Sequence, residues 1–260
     1  MIEIIEKYKA YIILFIILIT YLLIAFIFFK KNEDNENQAT ESYLVTNNSK
    51  YTYKDKKFEK VVDTEKYNWK DYNIYINNEF FGKYKLQFNK RWYIYNEQRD
   101  SIKYEGDIIA TSNIDMNVYG FDKSNITEEE QTRINNYLEK QNIDLVQYET
   151  NNSKIEIDLD NDNKEEKIYI VNSQINNNPE NKFSLILIEK NNNFEILVSK
   201  VIAKDVVDKI ELFNVYGFID IDNDEKKEIL VSRMIFSQPE KDCEIIFKLK
   251  NKKYERITDY

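Results

Sequence analysis

The chain contains the segment Ile155-Glu-Ile-Asp158-Leu-Asp160-Asn-Asp162-Asn-Lys-Glu-Glu166-Lys-Ile-Tyr-Ile-Val171, which sets three aspartates at alternate positions between two β-branched runs. The same spacing returns in Gly217-Phe-Ile-Asp220-Ile-Asp222-Asn-Asp224-Glu-Lys-Lys-Glu228-Ile-Leu-Val231. Both copies fit the pattern D-x-D-x-D-x-x-x-E, and short apolar runs bounded by polar turns are typical of strands. The sequence therefore predicts two units in which an acidic loop joins two strands.

The similarity between the two copies continues beyond the loops. A turn with proline follows each loop, at Pro179 and at Pro239, and these are the only prolines in the chain. An apolar strand comes next in both copies, over Phe183–Ile188 and Cys243–Leu249, and a polar turn and a final strand complete each unit. Such repeated order indicates an internal duplication, so residues 151–260 are predicted to hold two β-rich repeats.

The chemistry of the loops fits a hard divalent cation. Side chains at alternate positions of a tight loop can direct their oxygens at one point, and a later glutamate and a backbone carbonyl complete the oxygen ligands. Such a set favours Ca²⁺ first and Mg²⁺ or Mn²⁺ second. The predicted ligands are Asp158, Asp160, Asp162, Glu166 and the carbonyl of Lys164 in the first loop, and Asp220, Asp222, Asp224, Glu228 and the carbonyl of Lys226 in the second. The alternative is a solvated acidic hairpin turn that holds no ion.

The two loops lack the residues of an EF-hand. That motif needs a helix on each side, Gly at position 6 and Glu at position 12. Position 6 is Asn163 or Glu225, and position 12 is Tyr169 or Val231. Because the flanking residues are also of strand type, the EF-hand interpretation fails.

The repeated unit resembles the FG-GAP/VCBS type of repeat, in which a DxDxDGxxD/E loop joins two strands of a β-blade. The resemblance covers roughly residues 155–257, and it implies calcium bound in each loop and an assembly of β-sheets. The usual glycines are replaced by Asn161 and Asn163 in one loop and by Asn223 and Glu225 in the other. Two units do not close a β-propeller, which typically has at least four blades, so an open sheet, a sandwich or a ring closed by oligomerisation is expected instead.

The composition excludes several classes of protein. The 260-residue chain has no histidine, one cysteine and a formal net charge of −9. Without histidine there is no Ser–His–Asp or Cys–His machinery, and one cysteine cannot form an internal disulfide or a multi-thiolate metal site. The acidic balance argues against a nucleic-acid partner, which requires a basic face.

A membrane anchor is predicted at the N-terminus. Residues 10–29 (AYIILFIILITYLLIAFIFF) carry no charge, and at about 1.5 Å per residue they would span the roughly 30 Å hydrocarbon core of a bilayer. No small-residue cleavage site follows, so a retained single-pass transmembrane helix is expected. Residues 30–60 are predicted to be a flexible linker. The lysines on the two sides of the span are equal in number, so charge alone leaves the orientation open. The short head, residues 1–9, the long tail and the calcium loops favour a cytoplasmic head and a C-terminal domain that is extracellular at the cell membrane.

Residues 61–150 are predicted to be an aromatic-rich β region with one helix. Rings and aliphatic side chains alternate through it as in strands, and most of them are expected in the core. Thr127 and Glu130 match a capping box, which predicts a helix over residues 127–141. The expected fold is therefore mainly β, or α+β with one or two helices, with an N-terminal transmembrane helix followed by a β-rich domain of blade-like repeats.

These features favour a membrane-anchored, extracytoplasmic calcium-binding β-repeat protein with a structural, interaction or sensing role and no enzymatic activity. Its partners would be the membrane and a protein or polysaccharide at the cell surface. Two alternatives stay open. Exposed rings between Trp69 and Trp92 would make a cell-envelope polysaccharide-binding module, and two carboxylates about 5–10 Å apart across a cleft would make an envelope hydrolase.

Overall fold

The structure is a computed structural model that describes residues 41–54, 57–61, 63, 65–112, 116–142, 150–173, 182–202, 211–235 and 238–258. Over these residues the chain forms three antiparallel sheets and one α-helix. The mainly β part of the predicted fold is therefore confirmed.

The expectation of a membrane anchor has to be corrected. In the part of the chain that the structure describes, no helix has the length and apolar character needed to cross a membrane. The α-helix found there has 13 residues, and a span needs about 20. The predicted head and transmembrane segment, residues 1–29, lie outside the described residues, and so does the start of the predicted linker. The cell-membrane localisation with an extracellular domain, which depended on that helix, is not supported either.

The first sheet, called the N-terminal sheet, has eight strands in the order β3-β2-β1-β8-β4-β5-β6-β7. Its strands are β1 (Ser42–Thr46), β2 (Lys50–Lys54), β3 (Lys57–Lys60), β4 (Asp71–Ile76), β5 (Glu79–Asn89), β6 (Arg91–Tyr95), β7 (Ser101–Ile102) and β8 (Ile108–Thr111), and a 3-10 helix spans Glu65–Tyr67.

Part of the predicted flexible linker belongs to this sheet. Residues 42–60 supply β1, β2 and β3, and all five residues of β1 are buried. The reason lies in its two faces: Tyr43 and Val45 pack into a core on one side, and Leu44 packs into another core on the other side. A strand buried on both faces shows no polar–apolar alternation, so its sequence does not stand out from the polar residues around it.

The two repeats form the other two sheets. The first-repeat sheet runs in chain order through β10 (Thr150–Ile157), β11 (Glu166–Ser173), β12 (Lys182–Lys190) and β13 (Asn193–Ile202). The second-repeat sheet contains β14 (Glu211–Asp220), β15 (Glu228–Ile235), β16 (Cys243–Lys250) and β17 (Lys253–Arg256), with β9 (Asn117–Tyr119) on its edge and a 3-10 helix at Pro239–Lys241. Each repeat is thus a four-stranded meander whose acidic loop joins its first two strands.

The helix α1 (Glu128–Lys140) lies where the sequence predicts it. Thr127 is the N-cap: its hydroxyl accepts a hydrogen bond from the Glu130 amide at 3.2 Å, and its own amide donates to the Glu130 carboxylate at 3.0 Å. The apolar residues Ile134 and Leu138 pack on the outer face of the first-repeat sheet.

The sheets are stacked in layers, which is the sandwich arrangement among the expected ones. Ile168 and Ile170 share a core with Phe218 and Ile229, so the two repeat sheets pack face to face. The opposite face of the second-repeat sheet packs on the N-terminal sheet, with Leu44 in that contact. The described acidic loops lie at the ends of the two repeat sheets that share a core.

Candidate metal centres

The first acidic loop (residues 158–166) brings three carboxylates together. Asp158, Asp160 and Glu166 each offer an oxygen, and these oxygens lie within 4.8 Å of one another. Glu166 is buried and the two aspartates are half-buried. This triad can hold a metal ion.

Backbone amides hold the carboxylates of the first acidic loop in place. The Asp158 carboxylate accepts hydrogen bonds from the amides of Asp162 at 3.2 Å and Asn163 at 3.0 Å. The Glu166 carboxylate accepts from the Leu159 amide at 2.9 Å. The loop itself therefore sets the orientation of the Asp158 and Glu166 carboxylates. In this orientation each of them still offers an oxygen to the triad.

The second acidic loop (residues 220–228) repeats this arrangement atom for atom. Its triad is Asp220, Asp222 and Glu228, again with ligand oxygens within 4.8 Å of one another. Asp220 accepts from the amides of Asp224 at 3.1 Å and Glu225 at 3.0 Å. Glu228 accepts from the Ile221 amide at 3.0 Å. The duplication seen in the sequence therefore extends to the hydrogen bonds that build the two triads.

The residues that replace the usual glycines adopt left-handed backbone conformations. The φ angles are 60° at Asn161 and 63° at Asn163, and 56° at Asn223 and 65° at Glu225. Asparagine tolerates this conformation, whereas a glutamate in it costs about 1 kcal/mol or more. The backbone path is thus the same in both loops, and the second loop carries more strain.

Two predicted ligands in each loop lie outside the triads. Asp162 and Asp224 are not grouped with the other carboxylates, and each accepts a hydrogen bond from the amide two residues later. Those amides belong to Lys164 and Lys226, whose carbonyls are the predicted backbone ligands. An ion bound at a triad would therefore start from three carboxylates rather than four.

A lysine enters each triad, which the sequence reasoning missed. The Lys190 ammonium contacts Asp160 and lies 2.9 Å from Glu166. The Lys248 ammonium lies 2.7 Å from Asp222 and also contacts Glu228. The register of the strand pairs could have found both lysines. Lys167 pairs with Glu189, so the preceding Glu166 stands opposite Lys190. Ile229 pairs with Phe247, so Glu228 stands opposite Lys248.

The pKa values follow from burial and from these lysines. Burial raises the pKa of Glu228 to about 7, although Lys248 opposes the shift. Burial likewise raises the pKa of Asp220, against the hydrogen bonds from backbone amides. Burial alone would lower the pKa of Lys248, but its hydrogen bonds to Asp222 and Glu228 raise it above the ordinary lysine value. The second triad therefore needs a cation beside it to keep its carboxylates charged.

The first triad also has an unused ligand atom. Asp160 Oδ1 is buried and has no hydrogen-bond partner among the described residues. Buried polar atoms without partners are uncommon and call for an explanation such as a bound ion or water. Together with an all-oxygen, carboxylate-rich donor set, this atom fits a hard divalent cation.

A cleft adjoins the first acidic loop. It has a volume of about 660 Å³, and its walls include Asp160, Glu166 and Lys190. Among the carboxylates that line it, Glu195 is the one from outside the acidic loops, beside those of Asp160, Asp162 and Glu166. The cleft therefore does not present two carboxylates away from the metal loops, which is what the hydrolase alternative requires.

The aromatic residues of the N-terminal sheet divide between core and surface. Trp92 is buried in the core, with its indole N–H donating to the Thr46 carbonyl at 3.0 Å. Trp69 is 38% exposed, its φ is 62°, and its ring centroid lies 5.0 Å from that of Tyr95. Of the two tryptophans that bound the predicted polysaccharide-binding region, only Trp69 is accessible to a sugar.

No family of known proteins, no curated protein and no solved structure matches this chain. The candidate metal centres therefore stand on their own geometry, as two acidic triads able to hold a metal ion.

Proposed function

We propose that this protein is a non-enzymatic calcium-binding β-repeat protein in which each acidic loop holds one Ca²⁺. The observation that carries the proposal is the matched pair of triads, in which the same hydrogen bonds hold the same carboxylates in both repeats. The resemblance of the loops to FG-GAP/VCBS repeats supports calcium over other cations. An oxygen-only donor set supports the same preference.

In this proposal each ion replaces a lysine. Lys190 and Lys248 place one positive charge at each triad, and their side chains are 39% and 22% exposed, so each can swing out on its flexible stem. A divalent ion brings twice the charge to the same carboxylates and can also use Asp160 Oδ1. The lysine keeps the loop folded when calcium is scarce.

The role of the bound ion in this proposal is to stabilise the repeat sheets. A ligand present at about 100 times its dissociation constant adds about 2.7 kcal/mol to folding stability. Because the triads connect the first two strands of each meander, this stabilisation acts on the ends of both repeat sheets.

Calcium titration of the full chain tests the proposal. Isothermal titration is expected to show two Ca²⁺ per chain, and chelation with EDTA is expected to lower the melting temperature. The Asp160→Asn and Asp222→Asn variants should each lose one equivalent, while Glu240→Gln, an exposed carboxylate outside the loops, should bind like the wild type. Zero uptake by the wild type, with superimposed melting curves in EDTA and in millimolar Ca²⁺, would remove the proposal.

A second candidate function is polysaccharide binding at Trp69. This exposed ring stacks near Tyr95, with the Arg99 guanidinium 5.3 Å from its centroid, and its left-handed backbone is unusual for a bulky residue. The Trp69→Ala variant should then lose binding to a glycan array, whereas Phe81→Ala, an equally exposed ring elsewhere, should keep it. Equal binding by both variants and the wild type would dismiss this candidate.

A further inference from the structure

We propose that the two acidic loops bind cations as one coupled unit, so that an ion in either loop raises the affinity of the other. The inference rests on the proposed calcium binding and deepens it. It is carried by contacts between the loops that involve none of the triad side chains.

The backbone connects the two triads directly. The Lys227 amide donates a hydrogen bond to the Leu159 carbonyl at 2.9 Å. The amide of the same Leu159 donates to Glu166 of the first triad, and Lys227 directly precedes Glu228 of the second triad. Leu159 is thus bonded through its amide to the first triad and through its carbonyl to the second loop.

The Lys227 side chain makes a second connection. Its ammonium lies 2.5 Å from the Asp158 carbonyl, in the same peptide unit whose amide bonds Glu166. The ammonium also lies 4.6 Å from the Tyr119 ring centroid. A half-buried lysine held at these points ties the position of Asp158 to the strand that carries Glu228.

A third connection joins the loop tips. Asn161 Nδ2 donates to the Glu225 carboxylate at 2.7 Å, and both residues have left-handed backbones. An ion that fixes either loop therefore also fixes the tip of the other loop. The neighbouring loop then has less conformational freedom left to lose when it binds its own ion, and this gives positive coupling.

Repulsion between the ions does not cancel this coupling. Each triad carries three carboxylates, so a site loaded with one divalent ion keeps a net negative charge even after its lysine moves away. Two such sites do not oppose each other as two bare cations would. Coupling between sites in proteins is typically about 5–150-fold in affinity, and we expect the lower part of that range.

The experiment compares calcium titrations of four full-length proteins. In the wild type, two equivalents should bind with a Hill coefficient above 1. In Asp222→Asn, which disables the second triad, the calcium affinity of the first loop should be at least about fivefold lower than in the wild type. In Asn161→Gly/Lys227→Met, which leaves every triad side chain and the Lys227–Leu159 backbone bond in place but removes both side-chain connections, two equivalents should bind with a Hill coefficient lower than that of the wild type. In Asn142→Gly, which changes an exposed left-handed residue outside both loops, binding should match the wild type.

The outcomes separate the two proposals. Zero calcium uptake by the wild type would remove the proposed function and the coupling with it. Two equivalents that bind independently in the wild type would overturn the coupling alone, as would a Hill coefficient in Asn161→Gly/Lys227→Met that equals that of the wild type. Melting curves in EDTA, recorded for each variant, show that a change in cooperativity comes from a folded protein.

Discussion

The carboxamide oxygen of Asn78 lies 2.7 Å from the point that a β-carbon at Gly217 would occupy. Asn78 sits at the turn between β4 and β5, and its amide group donates to the Tyr216 carbonyl at 3.2 Å. This turn therefore packs into β14 where the strand register shifts, between Val215 and Gly217. A glycine is needed there for close approach between the N-terminal sheet and the second-repeat sheet.

Replacing Gly217 with alanine should destabilise the fold. The new methyl group would meet Asn78 and Ile109, and inserting such a group into a packed contact costs about 1–3 kcal/mol. Urea unfolding measures the effect. The sequence Asn-Val-Tyr-Gly-Phe occurs twice, at residues 214–218 and at residues 117–121, where Gly120 is its glycine. No atom lies within 4 Å of the point that a methyl group at Gly120 would occupy, so Gly120→Ala should change the free energy of unfolding by less than about 0.5 kcal/mol. Equal effects at both glycines would contradict this packing role.

Glu244 should tolerate glutamine and not alanine. Its carboxylate is 1% exposed and accepts hydrogen bonds from Thr46 at 2.6 Å and Asn48 at 3.1 Å. Glu244→Ala removes this buried acceptor and leaves a cavity in its place, so it should cost about 2–4 kcal/mol. Glu244→Gln keeps the shape and an acceptor oxygen, and it should cost less than about 1 kcal/mol near pH 5.

The same pair of proteins makes a pH prediction. Burial raises the pKa of Glu244, against the hydrogen bonds from Thr46, Ser49 and Asn48. The folded state therefore holds this proton more tightly than the unfolded state, so stability falls as the pH rises from the ordinary glutamate range through the raised pKa. Glu244→Gln has no proton to lose, so its free energy of unfolding should rise relative to that of the wild type as the pH increases. Parallel pH profiles of unfolding free energy for the two proteins would rule this out.

Glu130 should support stability with the opposite pH dependence. Burial alone would raise its pKa, but hydrogen bonds from Lys167, Thr127 and Lys154 lower it to about 2. The stabilisation is therefore complete above the ordinary glutamate pKa and is lost as the pH falls from about 4.5 to about 2. Since Lys167 is partly exposed, we expect about 1–2 kcal/mol. Glu130→Gln should flatten this part of the acid unfolding profile, and Glu128→Gln, an exposed neighbour on α1, should leave it unchanged.

Removing the lysine from the second triad should separate folding from calcium binding. In Lys248→Met the buried Glu228 loses its cation, so the melting temperature in EDTA should fall. Because calcium no longer has to displace an ammonium, its affinity should rise about tenfold, or about 1.4 kcal/mol. Lys250→Met, an exposed lysine on the same strand, should change neither quantity. A lower calcium affinity in Lys248→Met would show that the lysine does not compete with the ion.

The sequence predicted those parts of the molecule in which a short segment determines its own structure. The capping box of α1 needs only Thr127 and Glu130, and in each acidic loop the backbone amides that bind the triad carboxylates lie within the same nine residues. Lys190 and Lys248 escaped prediction because each reaches its triad through the register of a strand pair, which is settled by the packing of whole sheets. β1 escaped for a related reason, since one of its faces is buried by distant residues of its own sheet and the other by the second-repeat sheet, which is formed much later in the chain.

The bond between Thr46 and Glu244 joins residues 198 positions apart. At about 5–20 residues per second, a ribosome needs roughly 10–40 s to synthesise the chain between them. During that interval Ile246 of β16, which packs with Leu44 and Tyr51, has not yet been synthesised. The core between the N-terminal sheet and the second-repeat sheet can therefore close only after nearly the whole chain has been translated.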